Sequence, residues 1–418
     1  MSDGGKHDDL PLKEVKCLSE LISAQLADDE ELEHFTSKPA TRPGENYGST
    51  MLALDIVVSK KAAGGETSRR HLFAFCKMLP DDPERRVIFN VGVTFVKELE
   101  MYSLVVPALQ QLQLDNGVPE QDLVSHLFPR LYGGRVNLQN SGPVDDDAVI
   151  LLEDMRKRGF ATGDRKTGLN LEQVTLVMEK LAVFHALPVA LRRRRPRVYE
   201  DTVLRACCDF RMGGDDQEES MPRFRQIILA NVKKSAAAKH LAAVEKAMDA
   251  AKFSDDLPPI KEPFASILHN DLWTNNVLVQ MDGDSPVNVA FIDFQGIRVN
   301  SPFKDLAFFL FTSAKKEVTT NHLDAVLDTY LSSFRRCLSQ VDVDSTPFTR
   351  EAAWAELSAV ARTELFHILF MLRFLNADPA MIRDDPEGFV FREDLGGESY
   401  TRWVENVVTL YVKHGWLD

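Results

Sequence analysis

The sequence has few cysteines and places them without pattern. Cys17, Cys76, Cys207, Cys208 and Cys337 are odd in number and scattered, which excludes the paired spacing of a zinc site or a disulfide framework and implies reduced thiols in a cytoplasmic protein. A secretory leader is also lacking, because the N-terminus MSDGGKHDDLPLKEV is polar and acidic, and no apolar run approaches the length of a membrane span. Positive charge is in deficit: 49 Lys and Arg stand against 63 Asp and Glu, for a formal charge of −14. That balance disfavours nucleic acid or an anionic membrane as main partner, since both repel an acidic surface, whereas a nucleotide needs only local positive charge. The one strong basic run, Arg192 to Arg197 interrupted by Pro196, is of a kind usually found as a solvated loop. Trp (4) and Tyr (7) are sparse beside Phe (25), and no internal repeat is evident. With 44% apolar and 27% charged residues the chain is of globular composition, and at 418 residues it exceeds what one core usually supports, which implies a large two-lobed unit.

Along the chain, apolar positions at helical spacing predict a helix over Leu10 to Leu26, and the segment TSKPATRPGENYGS predicts a loop. Leu52, Leu54, Ile56 and Val58 alternate at period two; KKAAGGETS breaks the run and HLFAFCKM resumes it, so a hairpin ends near Lys77. Phe95, Leu99 and Tyr102 fall on one helical face with Glu98 beside it. HLFPRLYGG and AVILLEDM then read as strands. Asn170 is placed to cap a helix through LEQVTLVMEKLAVFHAL, and three further segments, Asn321 to Val341, Thr349 to Asn376 and Ser399 to Trp416, have helical periodicity. The fold class is therefore α+β: an N-terminal lobe, 1–155, with an antiparallel sheet and one key helix, and a larger, mostly helical C-terminal lobe, 156–418.

The most informative run is Ile267 to Val279, which contains His-x-Asp-x-x-x-x-Asn through His269, Asp271 and Asn276. Strands Val277 to Val279 and Val287 to Ile292 follow, joined by the turn formers MDGDSP. In an antiparallel hairpin the start of the first strand lies beside the end of the second, so Asn276 and Asp293 come together, with Asp271 close by. An amide oxygen and carboxylates form a hard-oxygen site suited to Mg²⁺, which takes one or two protein ligands and completes its shell with water and phosphate oxygens. The pattern is that of phosphoryl transfer from ATP, with Asp271 as base, His269 beside it as the second catalytic candidate, and Asn276 and Asp293 as metal ligands. Taken singly, Asp271 and Asp293 could merely cap turns, and His269 could be a hydrogen-bonded core histidine.

ATP phosphates also need a cation and a covering loop. Lys77 ends an extended segment, and Glu98 on the next helix could orient it, with Lys97 and Glu100 as alternatives close by. No G-x-G-x-x-G is present; Gly44, Asn46, Tyr47, Gly48 and Ser49 instead precede the first long strand, where small residues let backbone N–H groups approach phosphates.

Together GENYGS, the Lys77 strand, FVKELEMY, VILLEDM followed by KRGF, LAVFHAL, ILHNDLWTNN and FIDFQGIRVNSPFKDLAFFL resemble the ecdysteroid kinase-like family, within the choline-kinase and aminoglycoside-phosphotransferase group of protein-kinase-like folds. The resemblance implies that Glu153 and Met155 hold adenine through their backbones and that Asp305 braces the catalytic loop. It also implies that Asp293-Phe-Gln-Gly takes the place of Asp-Phe-Gly. The implied reaction is transfer of the ATP γ-phosphate to a hydroxyl of a small, lipophilic acceptor such as an ecdysteroid, steroid or xenobiotic, in a pocket to which Trp273 could contribute. A choline or ethanolamine kinase is the same-class alternative, and a catalytically silent kinase-like binding protein the different-class one. Asp293-Phe-Gln-Gly runs almost directly into SPFKDLAFFL, which leaves no long activation loop and disfavours a protein substrate. No obligate protein partner is inferred.

Overall fold

A computed structural model describes residues 13–40, 49–61, 66–208, 217–250, 262–378, 380–381 and 388–417. The chain divides into two compact units, one comprising residues 1–86 and 130–154, the other 87–129 and 155–418. The segment 87–129, with Glu98, thus groups with the second unit, although it precedes the 155/156 junction drawn from the sequence.

The first unit is built on a five-stranded antiparallel sheet: β1 (Glu30–Pro39), β2 (Thr50–Lys61), β3 (Thr67–Met78), β4 (Leu131–Arg135) and β5 (Val149–Glu153), in the order β1-β2-β3-β5-β4. The alternation seen in the sequence sends Leu52, Leu54, Ile56 and Val58 to one face, where they pack with Ala74, Cys76, Met78, Val149 and Leu151. Strand β1 falls partly in the segment read as a loop. Its residues alternate only between half-buried and exposed, so no apolar periodicity betrays it, and charged residues and a terminal proline suit an edge strand. Within the helix expected over Leu10 to Leu26, the described residues hold a four-residue helix, Leu18–Leu21, and a short 3₁₀ turn, Ser23–Gln25.

In the second unit the helix Val91–Glu100 continues through one π-type turn, Met101–Val105, into Val106–Asp115. Its Phe95, Leu99 and Tyr102 are buried, as their spacing implies. The helix Leu171–Arg194 is opened by a reciprocal capping box between Asn170 and Gln173. It is long and apolar enough to cross a membrane, contrary to the reading that no run has that length, yet most of its apolar stretch is buried inside the protein. The basic run at its end is neutralised locally: Arg192 pairs with Glu262, Arg194 with Asp342 and Arg195 with Asp115. Helices Phe303–Ser313, Leu323–Gln340, Arg350–Leu375 and Gly397–Lys413 complete the core, together with Gln217–Lys234 and Leu241–Ala250, which no sequence signal singled out. Two small sheets position the loops between them. β6 (Phe160–Thr162), β8 (Val277–Asp282) and β9 (Ser285–Phe291) form one, and β7 (Ser266–Leu268) with β10 (Arg298–Asn300) the other.

Candidate active site

The hairpin β8–β9 turns through Gly283, whose φ of 59° suits a residue without Cβ. Val277 faces Phe291, and the Ile292 N–H donates to the Asn276 carbonyl at 3.1 Å. Asn276 and Asp293 therefore flank the open end of one ladder, as the strand pattern implies. The Asn276 Nδ2 donates to the Asp271 carbonyl oxygen (2.8 Å) and to its Oδ2 (3.0 Å), which commits the amide nitrogen and leaves Oδ1 as the group able to meet a cation.

Asp271 is half-buried, and its carboxyl is pushed up to about 7, first by desolvation and then by the nearby charge of Asp293, against hydrogen bonds from Trp273 and Asn276. The Asp271 and Asp293 carboxyls beside the Asn276 amide are a donor set that fits a divalent oxygen-seeking cation. Among the described residues no group of three or more His, Cys, Asp or Glu side chains is arranged to hold a metal ion.

The loop is held from behind by Asp305, in the first turn of the helix Phe303–Ser313 and 1% exposed. Its Oδ2 accepts the His269 backbone N–H at 2.6 Å and its Oδ1 that of Asn270 at 2.8 Å. His185 Nε2 lies 3.2 Å from the same Oδ2, and His185 Nδ1 lies 3.0 Å from the Tyr330 hydroxyl. A carboxylate can only accept, so His185 carries its proton on Nε2 and Tyr330 donates to Nδ1. Burial pushes His185 below the usual histidine value, against the opposing pull of Asp305. Asp305 emerged from the family pattern; His185 and Tyr330 were missed as a pair, because no local signal links positions this far apart in the chain.

His269 is fully buried, and its Nε2 lies 2.8 Å from the Ile292 carbonyl, to which it donates. It thereby ties the loop to the residue before Asp293. Asn270 (φ 65°) and Asp293 (φ 67°) both occupy the left-handed region, which Asn and Asp tolerate better than other side chains. Phe294 anchors the second bend, its ring 4.7 Å from that of His269, 5.7 Å from Tyr102 and 5.3 Å from Phe128.

Of the remaining residues singled out, Lys77 is 7% exposed and lies opposite Met51 and Ile150 near the end of β3. Glu98 is 1% exposed and belongs to the second unit. The neighbouring alternatives are engaged: Lys97 donates to the Cys208 carbonyl, and Glu100 pairs with Arg205 at 2.7 Å. Glu153 ends β5, its N–H donating to the Arg130 carbonyl at 2.8 Å. Met155 begins the second unit's longer segment, with its side chain buried against Phe160, Leu278 and Ala290. Ser49 precedes β2, while Gly44, Asn46, Tyr47 and Gly48 lie outside the described residues.

The fold and loop arrangement are of the kinase-like class, α+β with an antiparallel N-terminal sheet and a helical remainder. A model of the ecdysteroid kinase-like family matches residues 43–343, and the chain belongs to that small-molecule kinase family. Solved structures similar to it include an ethanolamine kinase of Plasmodium vivax, 11% identical over 91% of this chain and 84% of that one, with a TM-score of 0.40. An aminoglycoside 2'-phosphotransferase-IIIa in its GDP complex is 11% identical over 94% and 97%, with a TM-score of 0.34. A choline/ethanolamine kinase family protein from Mesorhizobium loti is 10% identical over 85% and 90%, with a TM-score of 0.30. No curated protein matches the chain.

Proposed function

We propose that this chain is a cytoplasmic, Mg²⁺- and ATP-dependent phosphotransferase acting on a hydroxyl of a small, lipophilic acceptor such as an ecdysteroid or related steroid or xenobiotic. The observation that carries the reading is the juxtaposition of Asp271, Asn276 and Asp293 at one hairpin end, in a chain of this family. Asp271 takes the proton of the attacking hydroxyl as the new oxygen–phosphorus bond forms and the bond to the ADP oxygen breaks. Asn276 and Asp293 would hold Mg²⁺, which when bound offsets charge on the phosphates. Lys77, buried near the end of β3, supplies a cation for phosphate oxygens. The backbones of Glu153 and Met155 receive the adenine. His269 works as a positioning residue, since its ring is wholly buried and bonds the Ile292 carbonyl. No obligate protein partner, nucleic acid or membrane is part of the reading.

The test is ATP consumption with Mg²⁺ by wild type and Asp271→Asn across ecdysteroids, other sterols, phenol glycosides, choline, ethanolamine and aminoglycosides. Turnover of one acceptor class, reduced by about 10²–10⁴ in the variant while nucleotide binding persists, supports the assignment. Failure of the wild type to bind Mg·ATP by calorimetry would reject it in favour of a kinase-like binding protein.

A further inference from the structure

A second feature of the second unit is left over once the catalytic loop is accounted for. A cavity of about 290 Å³ is bordered by Lys166, Lys315, Lys316, Arg402, Trp403 and Asn406, with Glu317 the one carboxylate on its rim. Four cations against one anion is a strong local inversion in a chain of charge −14. Arg402 has an exposed partner, Glu398 at 3.6 Å. Among the described residues, Lys166, Lys315 and Lys316 make no ion pair, and Lys166 acts at longer range on the exposed Asp164, whose carboxyl it helps hold below its usual value.

The cavity is also built on its apolar side. Asn406 is 5% exposed, and its amide has no hydrogen-bond partner among the described residues. Its amide atoms are not sealed from solvent and border the cavity, where they are available to a ligand's polar group. Trp403 borders the same space half-exposed, and its ring meets no other aromatic ring among the described residues. Cations, an idle amide and an open indole face define a site with a charged end and a flat apolar wall.

Its position relative to the loop is also defined. The Thr274 N–H donates to Ser313 Oγ at 3.0 Å, the Leu169 N–H donates to the Ser313 carbonyl at 2.7 Å, and the Lys315 N–H donates to the Leu169 carbonyl at 2.9 Å. A Cβ on Gly163 would lie 3.1 Å from Thr274. The two basic stretches, at 166 and at 315–316, are therefore continuations of the segments that enclose Thr274, three residues after Asp271.

We propose that this cavity is a binding site for a small organic anion, its acidic group on Lys166, Lys315 and Lys316 and its planar body against Trp403. The site selects against cations such as quaternary amines or polyamines. It rests on the second unit alone and stands whether or not the chain transfers phosphate.

The test is calorimetric titration of the full chain with phenyl phosphate and, as a matched cation, phenyltrimethylammonium. Wild type binds the anion with a Kd on the order of 1 mM or tighter and leaves the cation unbound. Lys166→Glu/Lys316→Glu, at exposed positions, weakens it by about tenfold or more, as does Asn406→Leu, which leaves the charge untouched. Lys77→Met leaves it unchanged, and thermal melts verify that each variant is folded. The proposal is overturned if wild type does not bind phenyl phosphate, if it binds the cation equally well, or if Asn406→Leu or the charge reversal has no effect. Loss of binding in Lys77→Met would place the anion at the nucleotide site instead and overturn it equally.

Discussion

The Asp305 carboxylate receives the His269 backbone N–H at 2.6 Å and, on its other oxygen, that of Asn270 at 2.8 Å. One side chain, 1% exposed, thereby fixes two consecutive peptide groups of a loop that turns through a left-handed residue, Asn270. The backbone at Asn270, immediately before Asp271, is held in a conformation it would not choose alone.

Removing that carboxylate leaves two buried N–H donors and His185 Nε2 without an acceptor. Asp305→Ala is expected to cost about 3–5 kcal/mol of stability in denaturant unfolding. Tyr330→Phe, which deletes only the hydroxyl donor to His185, costs about 1 kcal/mol. Equal losses in the two variants would contradict the hierarchy seen in the geometry.

Asp271 stores an electrostatic cost. Its folded-state pKa of about 7 lies above the ordinary carboxylate value, so the folded protein binds the proton more tightly and this group's contribution to stability declines as pH rises between those values. Asp271→Asn is therefore expected to be more stable than wild type at pH 8, by on the order of 1 kcal/mol once screening of a partly exposed group is allowed for, while losing phosphotransfer. Melting curves of the metal-free proteins at pH 5 and pH 8 check this, because the gain should shrink at the lower pH. By the same logic Asp293→Asn lowers the Asp271 pKa, readable in a carboxyl-carbon NMR titration.

His185 and His269 are both pushed below the usual histidine range by burial. A depressed histidine contributes stability that is present above about pH 6.5 and is lost as pH falls toward the folded-state value. Asp271 opposes this over part of the same window, so the measurement belongs in the Asp271→Asn background. There the melting temperature is expected to fall steadily from pH 7 to pH 5. A flat profile would show that the histidines exchange protons without resistance from the fold.

Gly296 is placed so that an added Cβ would meet the His269 carbonyl oxygen at 3.3 Å and Asn270 Cβ at 3.8 Å. Gly296→Ala is expected to displace the loop by a few tenths of an ångström and slow turnover by about tenfold or more with little change in Mg·ATP affinity. Calorimetry beside a rate measurement separates the two effects.

Legibility followed sequence distance. The hairpin could be read because its turn formers, alternation and the flanking Asn276 and Asp293 lie within one short run. The capping box at Asn170 and the C-terminal helices were equally local. Strand β1 was invisible because an edge strand facing water has no apolar period to display. The alliance of His185 with Asp305 and Tyr330 spans 120 and 145 residues, and nothing in a histidine on a helical face says which distant carboxylate it will meet. The cavity bordered by Lys166, Lys315 and Trp403 arises the same way, from three stretches that are unremarkable when read singly.

The chain also enters its second unit twice. Residues 87–129 belong there, then 130–154 return to the first unit before the remainder follows. Phe294 takes two of its ring neighbours, Tyr102 and Phe128, from that early visit. During synthesis the ribosome must release nearly two hundred residues between Tyr102 and Phe294, so the early helix waits for its partner while the first unit's sheet is already whole. A fragment beginning at residue 156 would lack both rings and leave Phe294 and the bend at Asp293 unsupported. The second unit is a unit in space that no single cut of the gene can isolate.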